Sequence, residues 1–402
     1  MEFKLKDIAH INQETLKKDS FPNNFLYLDT KNLTSGKFGE LVYFDTMKDK
    51  VPSRARRIVK ENDILISTVR PNQRHYGFIT KDQESYIVST GFAVITPDET
   101  KVNPYFLYKY LTLENITNYL QSIAENSTSA YPAIKPSVLS ELSIILPDKT
   151  IQGYISKLLR SLDDKMNLNE QIIANLEELS QTLFKRWFVD FEFPDENGNP
   201  YKSSGGEMID SELGEIPSGW KVDELGNYIK IKSGKRPKNK VDKKDIENVV
   251  PIIGASKIMG YTNDYLYNEK IIIIGRVGTH GVIQRFSTRT WPSDNTFVII
   301  SDFESIIYQV LKSIDYISLN RGSTQPLLSQ KDIKNTKVAM PTNETLLSTY
   351  QKENNHILKM MDQKNIENQK LTQLRDTLLP KLMSGEIEIP DDIEVNEDEL
   401  SI

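Results

Sequence analysis

From Thr150 to Phe188 the chain has no proline, and its only glycine is Gly153 at the start. Apolar side chains recur there at heptad spacing. Ile155, Leu162, Leu176 and Leu183 share one position with Asn169, and Leu158, Ile172 and Leu179 share another with Lys165 and Arg186. That spacing predicts one long helix with a coiled-coil seam. A second stretch carries Tyr350, Ile357, Lys364, Leu371 and Leu378 at one seam position. Glu353, Met360, Glu367, Leu374 and Lys381 stand at the other. Roughly 40 residues at the helical rise give rods of about 60 Å, too long to hide in a small domain. The two rods are therefore expected to pack on each other and hold apart what precedes them. A coiled coil formed with a partner chain is the alternative.

Before each rod the pattern changes to short β-branched runs bounded by turn residues, which predict strands. Asp63–Ser67 has a counterpart in Ile271–Gly275, and Gly91–Ile95 one in Thr296–Ile300. A short helix is predicted in each globule, around Tyr105–Leu120 and Glu304–Ile317. The correspondence extends further. Leu176, Leu179, Thr182 and Leu183 recur 195 residues later as Leu371, Leu374, Thr377 and Leu378. Ile144–Pro147 recurs loosely as Val338–Pro341, and Ser127-Thr128 as Ser323-Thr324. The openings match as Phe3, Leu5 and Ile8 against Trp220, Val222 and Leu225. So long a period marks a duplicated domain pair, not a solenoid. The chain reads globule, helix, globule, helix.

Charge follows the same division. Of the 402 residues, 1–150 carry net +1, 151–218 net −7, 219–341 net +7 and 342–402 net −7, giving −6 in all. A basic globule can bind phosphate locally while the acidic stretches keep the chain in solution. Cysteine is absent, which excludes disulfides, thiolate catalysis and Cys-ligated metals. The four histidines, His10, His75, His280 and His356, show no metal-ligand spacing, so no metal site is expected. No window is apolar enough to span a membrane, and the start MEFKLKDIAH has no apolar signal core, so a cytoplasmic location is expected.

Catalytic motifs are wanting. Asn103-Pro104-Tyr105-Phe106 is similar to the Asn-Pro-Pro-Tyr site of adenine methyltransferases but lacks one proline, and a helix cap explains it better. Gly275, Gly278 and Gly281 follow a predicted strand, but the dinucleotide spacing differs and no helical pattern follows. Pro97–Lys101 does not split its carboxylates and lysine across two strands as a metal-dependent nuclease core requires. No P-loop is present. The chain is expected not to be an enzyme.

The most specific segment follows the first rod: Leu183-Phe184-Lys185-Arg186-Trp187-Phe188-Val189-Asp190-Phe191-Glu192-Phe193-Pro194, with Ser211-Glu212-Leu213-Gly214-Glu215-Ile216-Pro217-Ser218-Gly219-Trp220 further on. It resembles the central region of type I restriction–modification specificity subunits and the entry to their second target-recognition domain. Asp63–Pro71 resembles a strand and loop of the first recognition domain. Gly322–Pro326 with Ser329–Ile333 resembles the end of the second. The resemblance covers residues 1–390. One departure is Asn126–Tyr131, which stands where the second half has Gly322–Gln325.

The resemblance implies an α+β fold: two mixed α/β target-recognition domains separated by two long antiparallel helices that form a coiled coil, duplicated about a pseudo-two-fold. The domains expected are 1–147 (first recognition domain), 148–190 (central helix), 191–218 (linker), 219–341 (second recognition domain), 342–390 (second helix) and 391–402 (a disordered acidic tail). It also implies partners: double-stranded DNA, two methyltransferase (HsdM) subunits and two restriction (HsdR) subunits, with no membrane. S-adenosylmethionine, ATP and magnesium would sit on those partners and none on this chain. A modification-only system without nuclease subunits, or a scaffold whose globules bind protein, are the alternatives.

Bases are read by side chains that donate and accept in the grooves, while Lys and Arg hold phosphates. Under this reading the first globule offers Thr68, Arg70, Asn72, Arg74, His75 and Tyr76 in one loop, with Ser127 and Thr128 in another. The second offers Lys235 and Arg236 in a lysine-rich run, then Arg276, Thr279, His280 and Asn295, and finally Arg321, Ser323, Thr324 and Gln325. Between the rods, Asn169 is expected to face Lys364, and Lys165 to pair with Glu367.

Overall fold

The computed structural model describes residues 1–17, 20–126, 132–277, 281–319 and 327–389. The chain divides into two compact units, Met1–Asn167 with Gln369–Ile402, and Leu168–Asn368. The division falls inside both long helices, so each unit contains one globule and a stretch of each rod.

In the first unit, the opening strand Glu2–Lys4 pairs antiparallel with the closing strand Ser143–Ile145. Between them lies an antiparallel sheet in the order Ala9–Ile11, Phe92–Pro97, Ile64–Ser67, Tyr76–Phe78. A second sheet contains the parallel pair Asn24–Leu28 and Ile87–Ser89. Ile64, Leu65 and Ile95 are fully buried, as continuous apolar strands should be.

The second unit repeats this order. Trp220–Glu224 pairs with Lys337–Pro341. The main sheet runs Lys230–Ser233, Thr296–Ile300, Ile271–Gly275, Ile283–Phe286, and a smaller sheet again holds one parallel pair, Val250–Ile253 with Trp291–Pro292. The anticipated strands are present in both halves, and the two within each half lie side by side, an adjacency the sequence alone did not predict.

Two local expectations shift. The helix expected around Tyr105–Leu120 is two helices, Pro104–Leu111 and Glu114–Glu125. At the break Thr112 turns its hydroxyl back to the Tyr108 and Lys109 carbonyls, a local alternative to continuing the ladder. The openings also align three residues away from the sequence match. The Leu5 amide donates to the Leu142 carbonyl, and the Leu225 amide to that of Thr336. Since 142 and 336 are repeat mates, Leu225 is the counterpart of Leu5, not of Ile8.

The long helices run Lys149–Phe184 and Glu344–Ser384. Within the first unit Asp163 meets Arg375 and Met166 meets Thr372. Within the second, Ser180 meets Asn354 and Asn169 meets Asn368. Rising numbers on one helix meet falling numbers on the other, so the segments pair antiparallel in each unit.

Only one of the two expected seam positions on each helix faces inward. Ile155, Leu159, Leu162, Met166, Asn169 and Ser180 are buried, whereas Leu158 and Leu179 are 37% and 52% exposed. On the second helix Tyr350, Asn354, Leu358 and Met361 are buried, whereas Met360 and Leu374 are 49% and 47% exposed. The inward partner of each first position lies four residues on, not three. On the first helix this inward row, Leu159, Met166, Ile173, Ser180 and Trp187, is the more apolar of the two, so the expectation erred in the order of the three- and four-residue steps and not in residue type. The same displacement corrects the expected contact of Asn169. Its amide donates to Asn368 at 2.8 Å, four residues beyond Lys364, and Lys364 instead binds Glu367 of its own helix at 2.9 Å. Lys165 belongs to one unit and Glu367 to the other. The tail 391–402 lies outside the described residues.

After Phe184 the first rod continues as a π-helical turn, Lys185–Val189. The wider turn brings Trp187 and Phe188 inward together, and both are buried. Phe188 packs on Phe184, Trp220 and Tyr350, with ring centroids 5.1, 5.5 and 4.9 Å apart. Phe191 and Phe193 close on Trp220. The segment singled out in the sequence is therefore the aromatic core that joins rod to globule in the second unit.

Candidate nucleic-acid interface

In the first unit, strand Ile64–Ser67 ends in a loop built on two strained residues. Arg70 (φ 48°) and Arg74 (φ 56°) both adopt the left-handed conformation and flank a 3₁₀ turn, Pro71–Gln73. Non-glycine residues rarely sit there unless their surroundings hold them. Here the Arg70 amide donates to the Pro132 carbonyl, and the Arg74 carbonyl accepts from the Ser35 amide. The Asn72 amide donates to Gln121 Oε1 at 3.1 Å. His75 Nδ1 lies 2.6 Å from the Leu33 carbonyl, and its Nε2 lies 3.1 Å from Gln73 Oε1. Arg74 reaches Glu114 at 4.0 Å. Arg70, Asn72 and Arg74 are exposed. Tyr76 returns into the sheet and meets Tyr108 edge-on, and Thr68 spends its hydroxyl on the Gly91 carbonyl. Those two side chains turn inward onto the sheet, and Arg70, Asn72, Gln73 and Arg74 stay exposed at the tip of the loop.

In the second unit, Lys235, Arg236, Arg276 and Asn295 gather at one end of the main sheet. The Arg276 amide donates to the Asn295 carbonyl at 2.8 Å, and its guanidinium lies 5.8 Å from the Phe297 ring centroid. Lys235 is fixed by its backbone, donating to Pro292 and accepting from Trp291 Nε1 at 2.8 Å. Its side chain and that of Arg236 are exposed. Close approach is required at Gly234, where an added Cβ would stand 2.1 Å from the Ser293 carbonyl oxygen.

The two surfaces share a frame. Thr68 donates its amide to Gly91 and accepts from Ile134; Arg276 donates to Asn295 and accepts from Leu328. The next residues, Val69 and Val277, bridge to Ala133 and Leu327. Arg276 therefore occupies the place of Thr68, and Arg70 corresponds to position 278. The two loop arginines are not equivalent. Ser127, Thr128, Thr279, His280, Arg321, Ser323, Thr324 and Gln325 lie outside the described residues.

Within each unit the globule grips the rods through charge. In the first, Tyr105 and Lys109 from one face of Pro104–Leu111 both bind Asp163 of the first long helix, and Arg375 of the second reaches the same carboxylate at 3.2 Å. In the second, Tyr308 and Lys312 of Glu304–Ser313 both bind Glu177. Arg285 bonds Glu304 at 2.6 Å and Asp362 of the second long helix at 3.3 Å. Burial alone would push the Asp163 carboxyl up, but Lys109, Tyr105 and Arg375 hold it below the usual carboxylate range. Burial likewise opposes ionisation of Glu177, and Lys312, Gln181 and Tyr308 reverse it in the same sense. These grips, and Gln121, were not singled out from the sequence. Asp163 and Glu177 sit one residue beyond seam positions, where a carboxylate is ordinarily solvated. Asn103, by contrast, caps Pro104–Leu111, accepting from the Tyr105 and Phe106 amides.

Among the described residues no group of three His, Cys, Asp or Glu is placed to hold a metal, and no helix is long and apolar enough to cross a membrane. The doubled fold and paired sheet ends agree with what the chain resembles. The family model "Type I restriction modification DNA specificity domain" matches residues 1–178 and 217–376. The chain belongs to that family of type I restriction–modification specificity subunits. It is 28% identical over 459 aligned positions to the HindI specificity subunit of Haemophilus influenzae, spanning 96% of this chain and 99% of the relative. It is 26% identical to the MjaIX specificity subunit of Methanocaldococcus jannaschii, spanning 96% and 93%. Among solved structures it is similar to the type I restriction–modification S subunit of M. genitalium, with a TM-score of 0.57 at 16% identity over 95% of each chain.

Proposed function

We propose that each globule reads one half of an asymmetric, bipartite site in double-stranded DNA. The observation that carries this reading is the sheet end built twice on one backbone frame and furnished with different side chains. Equal frames give both halves the same approach to a groove; unequal side chains give them different bases. The exposed polar loop from Arg70 to His75 would serve one half, and Arg276, Asn295, Lys235 and Arg236 the other. The net +7 on residues 219–341 supports phosphate binding there. The long helices would set the spacer and dock two methyltransferase and two restriction subunits. S-adenosylmethionine, ATP and magnesium would be held by those partners, and the chain itself would be non-catalytic and cytoplasmic.

The test is binding and methylation by the assembled complex on oligonucleotides altered in one half at a time. Arg276→Ala should weaken recognition of one half-site by about 1–3 kcal/mol if its guanidinium is bidentate to a base. Arg70→Ala should act on the other half. Equal losses on every sequence would demote both arginines to phosphate contacts, and salt-independent binding would refute DNA as the ligand.

A further inference from the structure

The Tyr-x-x-x-Lys pairs are the same device used twice. Tyr105 and Tyr308 stand 203 residues apart, as do Lys109 and Lys312. Each tyrosine hydroxyl and the lysine one turn later close on a single carboxylate of the first long helix. Each lysine also lies over the ring of its own tyrosine, at 5.2 and 5.3 Å from the centroid. The acceptors, however, are not repeat mates. By the 195-residue period Asp163 corresponds to Leu358 and Glu177 to Thr372. The clamp is thus present in both halves although its anchor did not come with the duplication.

A buried ion pair is a poor source of net stability, because desolvation offsets most of the attraction. What it supplies is direction: one lysine and one hydroxyl on one carboxylate admit a single setting, whereas an apolar face can slide. Both globules already bury large apolar surfaces against the rods, with Ile155 and Leu159 in one core and Leu358 and Met361 in the other. Cohesion therefore does not require the clamps. A DNA-reading domain has a particular need for direction, since one base pair moves its target by only about 3.4 Å along the axis.

We infer that Tyr105–Lys109–Asp163 and Tyr308–Lys312–Glu177 are positioning contacts that fix the setting of each recognition domain on its helices. Loosening either one relaxes the spacer tolerated between half-sites without changing the bases read. The inference rests on the bipartite-site reading proposed above.

The experiment uses the complete chain assembled with its methyltransferase subunits. Its substrate is a plasmid library carrying the mapped site with the native spacer and with one base pair added or removed. Lys109→Met and Lys312→Met keep the stem and remove the charge. Each is expected to raise methylation at the altered spacers by about tenfold relative to the native one, the worth of one charge-assisted hydrogen bond. Base preference within both half-sites should stay as in the parent, and Lys312→Arg should restore stringency. Tyr105→Phe and Tyr308→Phe remove only a hydroxyl and carry the same test if a methionine variant does not fold. Unchanged spacer stringency in folded variants overturns the clamp while leaving the bipartite reading intact. So does a changed base preference at constant stringency. A parent complex that methylates no bipartite motif overturns the reading, and the clamp with it.

Discussion

Phe188→Ala examines whether the central aromatic segment is core or contact surface. The ring is 7% exposed and touches three others, Phe184, Trp220 and Tyr350. Those rings are themselves held by Trp187, Phe191 and Phe193, so the hole cannot collapse without moving several side chains. Truncation of a buried phenylalanine to alanine costs about 3–5 kcal/mol, and poor collapse favours the upper half of that range. The probe is already in place. The three tryptophans, Trp187, Trp220 and Trp291, all belong to Leu168–Asn368, so their emission reports that unit alone. With a urea slope of roughly 2–3 kcal/mol per molar, a loss of about 4 kcal/mol lowers the tryptophan-detected midpoint by roughly 1.3–2 M. Circular dichroism should show helix and strand of the other unit melting where they did before. A tryptophan midpoint moved by less than about 0.3 M would refute the assignment of this segment to the core.

Gly234→Ala places a methyl group against the carbonyls of Ser293 and Pro292, at 2.1 and 2.6 Å; backbone must give way, and the same tryptophan transition should weaken by about 1–3 kcal/mol. Asp163 and Glu177 are held below the usual carboxylate range when folded, so their contribution is complete above about pH 5 and is lost as pH falls further. Asp163→Asn and Glu177→Gln should flatten that acid limb in thermal melts between about pH 5 and 2, and an unaltered limb would contradict the assignment. Seven residues added at matched places to both long helices should lengthen the preferred DNA spacer by about three base pairs, seen in the methylation pattern. An unchanged spacer would remove the helices from that role.

Period and burial made much of the fold legible in advance. The strands Ile64–Ser67 and Ile271–Gly275 are continuous apolar runs, and such runs have few alternatives to a covered sheet. The duplication was visible because mates keep residue type at constant separation, as at Leu176 and Leu371. The inward face of the rods was less legible. Asn169, Ser180 and Asn354 are buried and linked through hydrogen bonds, so polarity misreports their side of the helix. Register at the start of each globule failed for a related reason: Leu5, Ile8, Trp220, Val222 and Leu225 offer two apolar alignments, and the hydrogen bonds that the Leu5 and Leu225 amides donate to the Leu142 and Thr336 carbonyls select between them. The loop from Arg70 to His75 could be read as a surface of polar side chains. Its left-handed arginines could not, because arginine carries no local signal for that conformation. The clamps on Asp163 and Glu177 join residues more than fifty positions apart, and no spacing within one segment announces them.

The pairing of each globule's first and last strands has a consequence for how such a chain can change. Glu2–Lys4 lies beside Ser143–Ile145, and Trp220–Glu224 beside Lys337–Pro341. Chain therefore enters and leaves each globule at neighbouring points of one two-stranded ribbon, and everything between is a closed excursion. A foreign excursion of different length can be spliced between the same two strands without altering the path of the backbone outside it, as with insertions whose ends lie close together. Whatever such a cassette recognises becomes exchangeable in a single recombination, one half at a time, while the ribbon and the helix it leads into remain the fixed socket.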